Sequence, residues 1–214
     1  MFMPDHFRVE DVAEMHALMR ARPFAALVSS TASSGLYGTH LPTVLKDEGP
    51  FGTIECHLAR ANPHWKDLAK GEEAMMIFQG PEGYITPNWY ATKAATGKAV
   101  PTWNYAVVHA YGCPAIMNDK DWLKRHVAEL SDQQERSEAH PWKVSDAPDS
   151  YIDVMLRGIV GFRFEITRLE GKCKMSQNRE TQDRLGVIEG LSARAAGDDL
   201  EIAEAVARKM APGG

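Results

Sequence analysis

The chain has 214 residues, of which 44% are hydrophobic and 25% are charged. This length fits one globular domain with a small appendage, and the composition excludes a disordered chain or a fibre. The 24 basic and 29 acidic residues give a formal net charge of −5, which is the wrong sign for general attraction to nucleic-acid phosphates.

The sequence also limits where the protein works. No apolar run approaches the roughly 20 residues that span a bilayer, and the first residues lack the zones of a secretory signal peptide. Cys56, Cys113 and Cys173 are scattered along the chain, and an odd number of cysteines argues against a disulfide framework. We therefore expect a cytoplasmic protein with no membrane partner and with three buried thiols.

Hydrophobic spacing in the first half of the chain predicts short strands between helices. Asn62 followed by Pro63 predicts the start of a short helix that Gly71 ends, and Ser33-Ser34-Gly35 predicts a turn. The predicted elements are a helix over residues 10–20, strands over 24–30, 36–45 and 52–58, the helix after 63, strands over 73–79 and 83–86 joined by Gly80-Pro81-Glu82, and a loop over 91–100.

The stretch from 101 to 112 is the one around which we expect the fold to be organised. Read with a period of two, one face carries Trp103, Tyr105, Val107, His109 and Tyr111, and the other carries small or polar residues. The simplest interpretation is a core strand of a barrel. The thin face would let another backbone, or a flat ring, come close.

The second half mixes helices with one well-patterned strand. Phe162, Phe164 and Ile166 alternate with polar residues and predict a half-exposed antiparallel strand over 159–168, and Gly171 predicts a turn or bulge after it. The other predictions are a strand over 115–117, a helix capped by Asn118 and running to 130, an irregular connection over 131–145, a helix that begins near 149, and a helix from 199 to 210.

Three polar clusters are denser than a plain barrel needs, and they predict a ligand site. They are His57 to Asn62, Trp103-Asn104-Tyr105, and Lys172 to Arg179. Arg60 precedes the Asn62 cap, where a helix N-terminus would bind a phosphate or other anion. An Arg that is solvated or paired with a carboxylate is the alternative.

The histidines leave two interpretations open and give no support for a metal. His40 and His57 are either hydrogen-bonding residues of the site wall or satisfied structural histidines. The eight histidines show no His-x-x-x-His pair within a predicted helix and no partnering Cys pair, so we expect no metal site.

With these residues in view, the chain resembles the PaiB-type FMN-binding negative transcriptional regulators, from Met1 to about Leu191. Cys173 departs from the family, because an aromatic residue, often Trp, is expected there. The motifs that carry the resemblance are Thr39-His-Leu-Pro42, His57-Leu-Ala-Arg-Ala-Asn-Pro63, Tyr84-Ile-Thr-Pro-Asn-Trp-Tyr90, Val100-Pro-Thr-Trp-Asn-Tyr105, Pro141-Trp142, Ser145-Asp-Ala-Pro148, Ile159-Val-Gly161 and Gly171-Lys-Cys-Lys-Met-Ser-Gln-Asn-Arg179.

The resemblance implies a mainly β fold with peripheral helices, an antiparallel FMN-binding split β-barrel like that of pyridoxamine 5′-phosphate oxidase. It implies FMN as the cofactor and a homodimer with the flavin site at the subunit junction. The FMN-binding domain would cover residues 1–191, and a helical extension would cover 192–214.

By the same resemblance, Arg60 would hold the FMN phosphate, with Asn62 and His57 nearby and with the His40 segment lining the flavin. Trp103, Asn104 and Tyr105 would lie close to the flavin or at the dimer seam, and Lys174, Gln177 and Arg179 would come from the second subunit.

Two functions follow from the resemblance. The first is a flavin-binding regulator that represses genes, although the charge of the chain does not support DNA binding and no helix-turn-helix is evident. The second is an FMN-dependent oxidoreductase of the pyridoxamine 5′-phosphate oxidase-like class, in which the protein supplies binding, orientation and electrostatics to the flavin.

Overall fold

The structure is a computed structural model that describes residues 1–31 and 35–211. Ser33 and Ser34 of the predicted turn lie outside the described residues. In chain order the elements are β1 (Arg8–Val9), α1 (Val12–Ala21), β2 (Phe24–Thr31), β3 (Gly35–Lys46), β4 (Thr53–Ala59), α2 (His64–Leu68), β5 (Ala74–Ile85), α3 (Ala91–Thr96), β6 (Thr102–Met117), α4 (Lys120–Gln134), α5 (Asp149–Arg157), β7 (Ile159–Lys174), α6 (Thr181–Arg194) and α7 (Asp199–Arg208).

The strands form one seven-stranded sheet in the order β1-β7-β4-β3-β2-β5-β6, and a further pairing joins β6, at one end, to β7, the strand next to the other end. The registers of β2 with β3, β3 with β4, and β4 with β7 are all antiparallel. Because the pairing of β6 with β7 leaves neither of these strands at an open edge, the topology is that of a barrel with β1 added outside the ring. The expected antiparallel fold with peripheral helices is confirmed.

The chain divides into two compact units. Unit 1 consists of Met1–Asp11, Gln79–Val108 and Glu170–Gly214, and unit 2 consists of Val12–Phe78 and His109–Leu169. The predicted domain boundary at residue 191 stays a prediction. None of the described helices combines the length and the apolarity needed to cross a bilayer.

Strand β7 shows how the sequence pattern builds the core of unit 2. Phe162, Phe164 and Ile166 are buried, whereas Arg163 and Glu165 between them are exposed. The predicted alternation is therefore confirmed. Burial of a side chain of this size contributes about 1.5–3 kcal/mol, so the inner face of β7 is a substantial part of the hydrophobic stabilisation.

Strand β6 buries its thin face rather than its bulky one. Asn104, Ala106, Val108, Ala110 and Gly112 are all buried, whereas aromatic residues of the other face are partly exposed. A Cβ atom added to Gly112 would lie 2.1 Å from the carbonyl oxygen of Glu165. The predicted close approach of another backbone on the thin side is therefore present.

Several boundaries predicted from turn-forming residues are wrong because single strands run through them. Residues 74–85 form one strand, so Gly80-Pro81-Glu82 is not a turn; proline is tolerated in a strand where no ladder N–H is required. Residues 115–117 belong to β6. Gly171 lies inside β7 and pairs with Val9, which replaces the predicted turn.

Helical structure was predicted too sparsely. The predicted loop at 91–100 contains α3, helix α4 continues four residues beyond 130 with Asp119 rather than Asn118 as its cap, and α6 was not predicted. Gly186 and Gly190 dilute the helical pattern of α6. They are needed because a Cβ at either position would lie within 2.2 Å of an atom of Trp89.

The cysteine prediction holds for two of the three thiols. Cys56 and Cys173 are buried, but Cys113 is exposed. Cys113 is exposed because side chains alternate between the two faces of a strand, and its odd position places it with the outward-facing residues of β6.

The approach at Gly112 gives a first prediction. Gly112→Ala should lower the free energy of unfolding by about 3 kcal/mol, because backbone atoms of β6 and β7 must move apart to admit the methyl group. Chemical denaturation measures the loss. Gly38→Ala is the matched control, because a Cβ at that strand position meets nothing within 4 Å; equal losses in the two variants would contradict the packing described here.

Candidate functional site

The predicted site residues fall into two sets according to unit. Unit 2 holds His40, His57, Arg60 and Asn62. Unit 1 holds Trp103, Asn104, Tyr105, Lys174, Gln177 and Arg179.

Asn62 organises a hydrogen-bonded cluster at the start of α2. Its Oδ1 accepts a hydrogen bond from the backbone N–H of His64 at 3.0 Å, and its Nδ2 donates to Thr39 Oγ1 at 3.2 Å. The same Thr39 hydroxyl lies 2.8 Å from Nδ1 of His64. The predicted cap is one residue out, because α2 begins at His64 with Pro63 in the cap position. Asn62 nevertheless accepts from the first N–H of the helix and also fixes Thr39 of β3.

His64 is the central residue of this cluster, although no sequence pattern singled it out. It is fully buried, its Nε2 lies 2.8 Å from Ser29 Oγ, and the ring of Tyr37 lies 4.6 Å away. Burial lowers the pKa of His64. A Ser–His contact is the geometry of an activated nucleophile, but here the second ring nitrogen meets the Thr39 hydroxyl rather than a carboxylate, so the pair lacks the usual orienting anion.

His40 lies apart from these hydrogen bonds. It is exposed on β3, where neighbouring residues point to opposite faces, and its ring stacks against Phe24 with centroids 6.2 Å apart. His40 therefore adds an exposed aromatic surface rather than a link in the cluster.

The sequence left open whether Arg60 binds a phosphate or is solvated or paired with a carboxylate. In the structure its hydrogen bonds reach three oxygen atoms, none of them from a carboxylate. Its Nε donates to the carbonyl oxygen of Arg157 at 3.0 Å, and its Nη2 donates to the carbonyl oxygen of Ile159 at 2.7 Å and to Asn118 Oδ1 at 3.2 Å. The guanidinium thus fastens the end of β4 to the start of β7. Only Nη1 is left outside these contacts and could meet a phosphate.

His57 faces helix α4. Its Nδ1 lies 3.0 Å from Nε2 of His126, which is fully buried and stacked at 5.2 Å under the ring of Trp122. Burial, with smaller contributions from His57 and the nearby cations Lys46 and Arg125, lowers the pKa of His126 to about 3. Burial also lowers the pKa of His57, so both rings are neutral at pH 7.

In unit 1, Lys174 is held beside the first residues of β6. Its ammonium group donates to Thr102 Oγ1 at 2.5 Å and to the carbonyl oxygen of Trp103 at 2.6 Å. Next to it, the buried amide of Asn104 exchanges hydrogen bonds with Ser176 Oγ at 3.0 and 3.3 Å. Ser176 has a φ of 61°, a left-handed conformation that is uncommon for a residue other than glycine.

Gln177 stabilises the turn that follows β7. Its side chain accepts from the backbone N–H of Met175 and donates to the carbonyl oxygen of Cys173, each at 2.6 Å. This bidentate use of the amide holds the chain between Lys174 and Arg179 in one conformation. Gln177 therefore acts here on the backbone.

Three cations of unit 1, Lys172, Lys174 and Arg179, define what we call the cationic group. Lys172 lies 5.2 Å from the ring centroid of Tyr105, and Arg179 lies 4.7 Å from that of Tyr90. Burial, together with the charges of Lys172 and Arg179, lowers the pKa of Lys174. Within residues 1–31 and 35–211, no carboxylate forms an ion pair with any of the three.

The cationic group is chemically suited to an anionic aromatic ligand. Uncompensated positive charge that is partly removed from water stabilises an anion. Trp103 is 47% exposed and lies edge-to-face with Tyr84, which is 41% exposed, with ring centroids 6.0 Å apart. A flat ring could pack on these aromatic surfaces, so the residues of unit 1 fit FMN, which has both a phosphate and a tricyclic ring.

The fold and these residues define a flavin-binding protein of the split-barrel class, and comparison with known sequences gives the family. Residues 1–168 match the family described as "Putative FMN-binding domain", and the chain belongs to it. The cofactor is therefore FMN, as the sequence predicted.

Individual relatives agree with this assignment. The protease synthase and sporulation protein PAI 2 of Bacillus subtilis is 30% identical over 210 residues, which cover 98% of each chain. An uncharacterized protein of Emericella nidulans is 36% identical over 215 residues, covering 84% of this chain and 85% of its own. The PaiB-type resemblance is thus confirmed.

Solved structures share the fold at low sequence identity. The flavocytochrome Anf3 of Azotobacter vinelandii superposes with a TM-score of 0.57 at 12% identity, covering 78% of this chain and 69% of its own. The FAD and heme binding protein of Mycobacterium smegmatis superposes with a TM-score of 0.56 at 11% identity, covering 78% of this chain and 73% of its own. At this identity the likeness concerns the fold.

The buried histidine pair predicts a dependence of stability on pH. The pKa of His126 is about 3 in the folded chain and 6.5 for the free side chain. Because the unfolded chain binds this proton more readily, the stabilising contribution is complete above pH 6.5 and is lost progressively as the pH falls towards 3. At pH 5 the loss amounts to about 2 kcal/mol.

Denaturant unfolding at pH 7.5 and at pH 5 measures this loss. His126→Gln should remove most of it, whereas His140→Gln, at an exposed histidine, should leave it unchanged. Glu55 lies on the same face of β4 as His57, and burial raises its pKa. Acidification therefore stabilises the folded chain through Glu55, which is opposite to the effect of His126, and this contribution is present in both variants. The same pH dependence in both variants would show that His126 is not responsible.

Proposed function

We propose that this protein is an FMN-dependent oxidoreductase in which the cationic group of unit 1 lies beside the flavin ring. The observation that supports this is the accumulation of three partly buried cations that have no carboxylate partner among the described residues, two of which lie against the rings of Tyr105 and Tyr90. Cations without carboxylate partners give no advantage to a protein that carries a flavin only as a structural part. They do give an advantage to a protein that must stabilise a negative charge on the reduced flavin ring.

Lys174 has the geometry to do this. Two of the three N–H bonds of its ammonium group are directed to Thr102 and to the backbone of Trp103, which fixes the position of the charge and leaves one donor for a ligand. Bound FMN would supply the redox chemistry, taking electrons from a donor such as a reduced nicotinamide and passing them to an acceptor. The charge on Lys174 would favour the reduced, anionic form of the ring.

The proposed contact for the FMN phosphate lies on a different residue from the contact for the ring. The resemblance assigns the phosphate to Arg60, supported by Asn62 at the start of α2, and this assignment remains part of the proposal. The contacts of Arg60 with three oxygen atoms support a rigid position for the guanidinium, from which Nη1 would meet the phosphate. His40, His57, Trp103, Asn104, Tyr105, Gln177 and Arg179 complete the proposed FMN-binding residues.

We also propose a homodimer with the flavin site at the subunit junction. The exposed side chains of Tyr84, Val100 and Trp103 in unit 1 support it, because apolar side chains of this size are usually covered in an assembly. Light scattering of the purified protein should give twice the mass of the chain. A monomer at micromolar concentration would rule the proposal out.

A second function, regulation of gene expression, is favoured by one specific finding. The Bacillus subtilis relative, aligned over 98% of its length, bears the name protease synthase and sporulation protein PAI 2. Together with the resemblance to the PaiB-type regulators, this supports a negative transcriptional regulator that binds FMN as a signal. The formal charge of −5 opposes direct contact with DNA.

Two substitutions separate the contacts proposed for the ring and for the phosphate. Lys174→Gln should lower the midpoint potential of bound FMN by about 30–60 mV, which corresponds to a 10- to 100-fold weaker preference for the reduced form in a two-electron couple. Steady-state oxidation of NADPH or NADH should slow accordingly. Arg60→Ala should weaken FMN binding about 10-fold or more while leaving the affinity for riboflavin, which lacks the phosphate, unchanged.

Lys98→Gln is the control for both measurements, because it removes the same charge from an exposed position of unit 1. A potential that Lys174→Gln does not change would refute the contact with the ring. Equal losses of FMN and riboflavin affinity in Arg60→Ala would refute the phosphate assignment. Absence of nicotinamide oxidation together with a salt-sensitive shift of promoter DNA would favour the regulator.

A further inference from the structure

A second candidate site lies in unit 2. A cavity of about 360 Å³ opens between α4, α5 and the start of β7, and it borders the apolar cluster of Leu123, Val144, Ile152 and Leu156. This volume is within the range of small-molecule sites. The walls carry no formally charged side chain.

The rim of the cavity is made of large apolar side chains that remain exposed. Trp142, Tyr151 and Met155 are 44%, 55% and 46% exposed, and all three line the cavity. Aromatic and thioether side chains around one opening are well suited to hold a flat apolar ring. Trp142 is positioned by the hydrogen bond of its backbone N–H to Glu135, so the rim does not depend on a ligand to form.

His57 gives this cavity one polar group. Its Nδ1 is engaged by Nε2 of His126 at 3.0 Å, and its own Nε2 has no hydrogen-bond partner within the described part of the chain. The ring lines the cavity. The free nitrogen is therefore the atom with which His57 can meet a ligand.

The contact with His126 determines whether Nε2 of His57 donates or accepts a hydrogen bond. Both rings are neutral, so one nitrogen of the contact carries a proton and the other a lone pair. Nδ1 of His126 is buried without a partner. A buried N–H without an acceptor is rarer than an unused acceptor, so His126 is protonated at Nε2 and donates to His57. The remaining proton of His57 then lies on Nε2, which makes it a donor.

We propose that this cavity binds a small uncharged aromatic molecule with one hydrogen-bond acceptor, such as an aryl ketone or aldehyde, whose oxygen accepts from His57 Nε2. An anion is disfavoured because no cation lines the cavity to compensate for its lost hydration. His57 also stands among the residues proposed for FMN, so this inference requires that His57 serves the cavity instead of the flavin. The cavity would then be the place where an aromatic metabolite or a foreign compound is recognised.

Fluorine NMR on the full-length protein tests the proposal with three matched probes. 4-Fluoroacetophenone has the ring and the acceptor, 4-fluoro-α-methylstyrene replaces the carbonyl oxygen by an isosteric CH₂ group, and 4-fluorobenzoate is charged. We expect the ketone to bind with a Kd of about 0.1–1 mM and the benzoate to bind at least 10-fold more weakly. Failure of the ketone to bind would overturn the proposal.

Two variants locate the site. Met155→Trp should fill the cavity and abolish binding of both uncharged probes, whereas Leu200→Trp, which adds the same ring at a position of α7 that is 54% exposed, should not. His57→Phe should weaken the ketone about 3- to 10-fold relative to the styrene, since one hydrogen bond is lost. Unchanged binding in Met155→Trp would show that the probes bind elsewhere and would refute the assignment to this cavity. This test does not depend on whether His57→Phe folds.

The titration is repeated with the protein saturated with FMN. Simultaneous binding of the ketone and FMN supports a separate site. Displacement of the ketone by FMN would mean that the cavity belongs to the flavin site, and the inference of a second ligand would be wrong. This outcome would leave the proposed oxidoreductase function intact.

Discussion

A sheet that returns on itself requires its last two strands to meet, and here β6 and β7 meet without room for a single methyl group. At Gly112 the backbone of β6 comes so close to the carbonyl of Glu165 that only glycine fits. The buried ring of Phe164 meets the same position, with an atom 3.0 Å from where a Cβ of Gly112 would lie, so the inner face of β7 packs where β6 is thinnest. The small residues of β6 are the partner that those large residues need, in the way that large and small side chains alternate in a well-packed core.

The same division of β6 into a thin and a bulky face explains where ligand chemistry can occur. Because the thin face is used for packing, the aromatic side chains are left on the outside, where Trp103 and Tyr105 stand close to cations. The acidic residues of the chain outnumber the basic ones, yet the cationic group is without acidic partners in the described residues. A local excess of positive charge in a negatively charged protein favours an anionic ligand, and in the proposed site the FMN would be that anion.

The sequence predicts the parts of this structure that depend on local pattern. Alternation fixed the faces of β6 and β7, Asn-Pro marked the start of α2, and the motifs identified the family and its cofactor. Elements that depend on distant partners were missed. Helix α6 contains Gly186 and Gly190, which lower helix propensity, and they make sense only once Trp89 is seen to pack on them. His64 had no pattern of its own, because its hydrogen bonds reach Ser29 and Thr39, which are far away in sequence. Arg60 was recognised as an anion-binding type of residue, but the carbonyl oxygens that it holds belong to a segment about 100 positions further along the chain.

The exposed position of Cys113 has a practical consequence. Burial raises the pKa of Cys56 to about 12, and Cys173 is also enclosed, so thiol-directed reagents at neutral pH will react with one sulfur atom on each chain. A fluorophore or spin label attached to Cys113 would report from the outer face of β6, the strand whose inner face packs against β7. In the proposed homodimer, the distance between two such labels would give the arrangement of the subunits without substitution of any native cysteine.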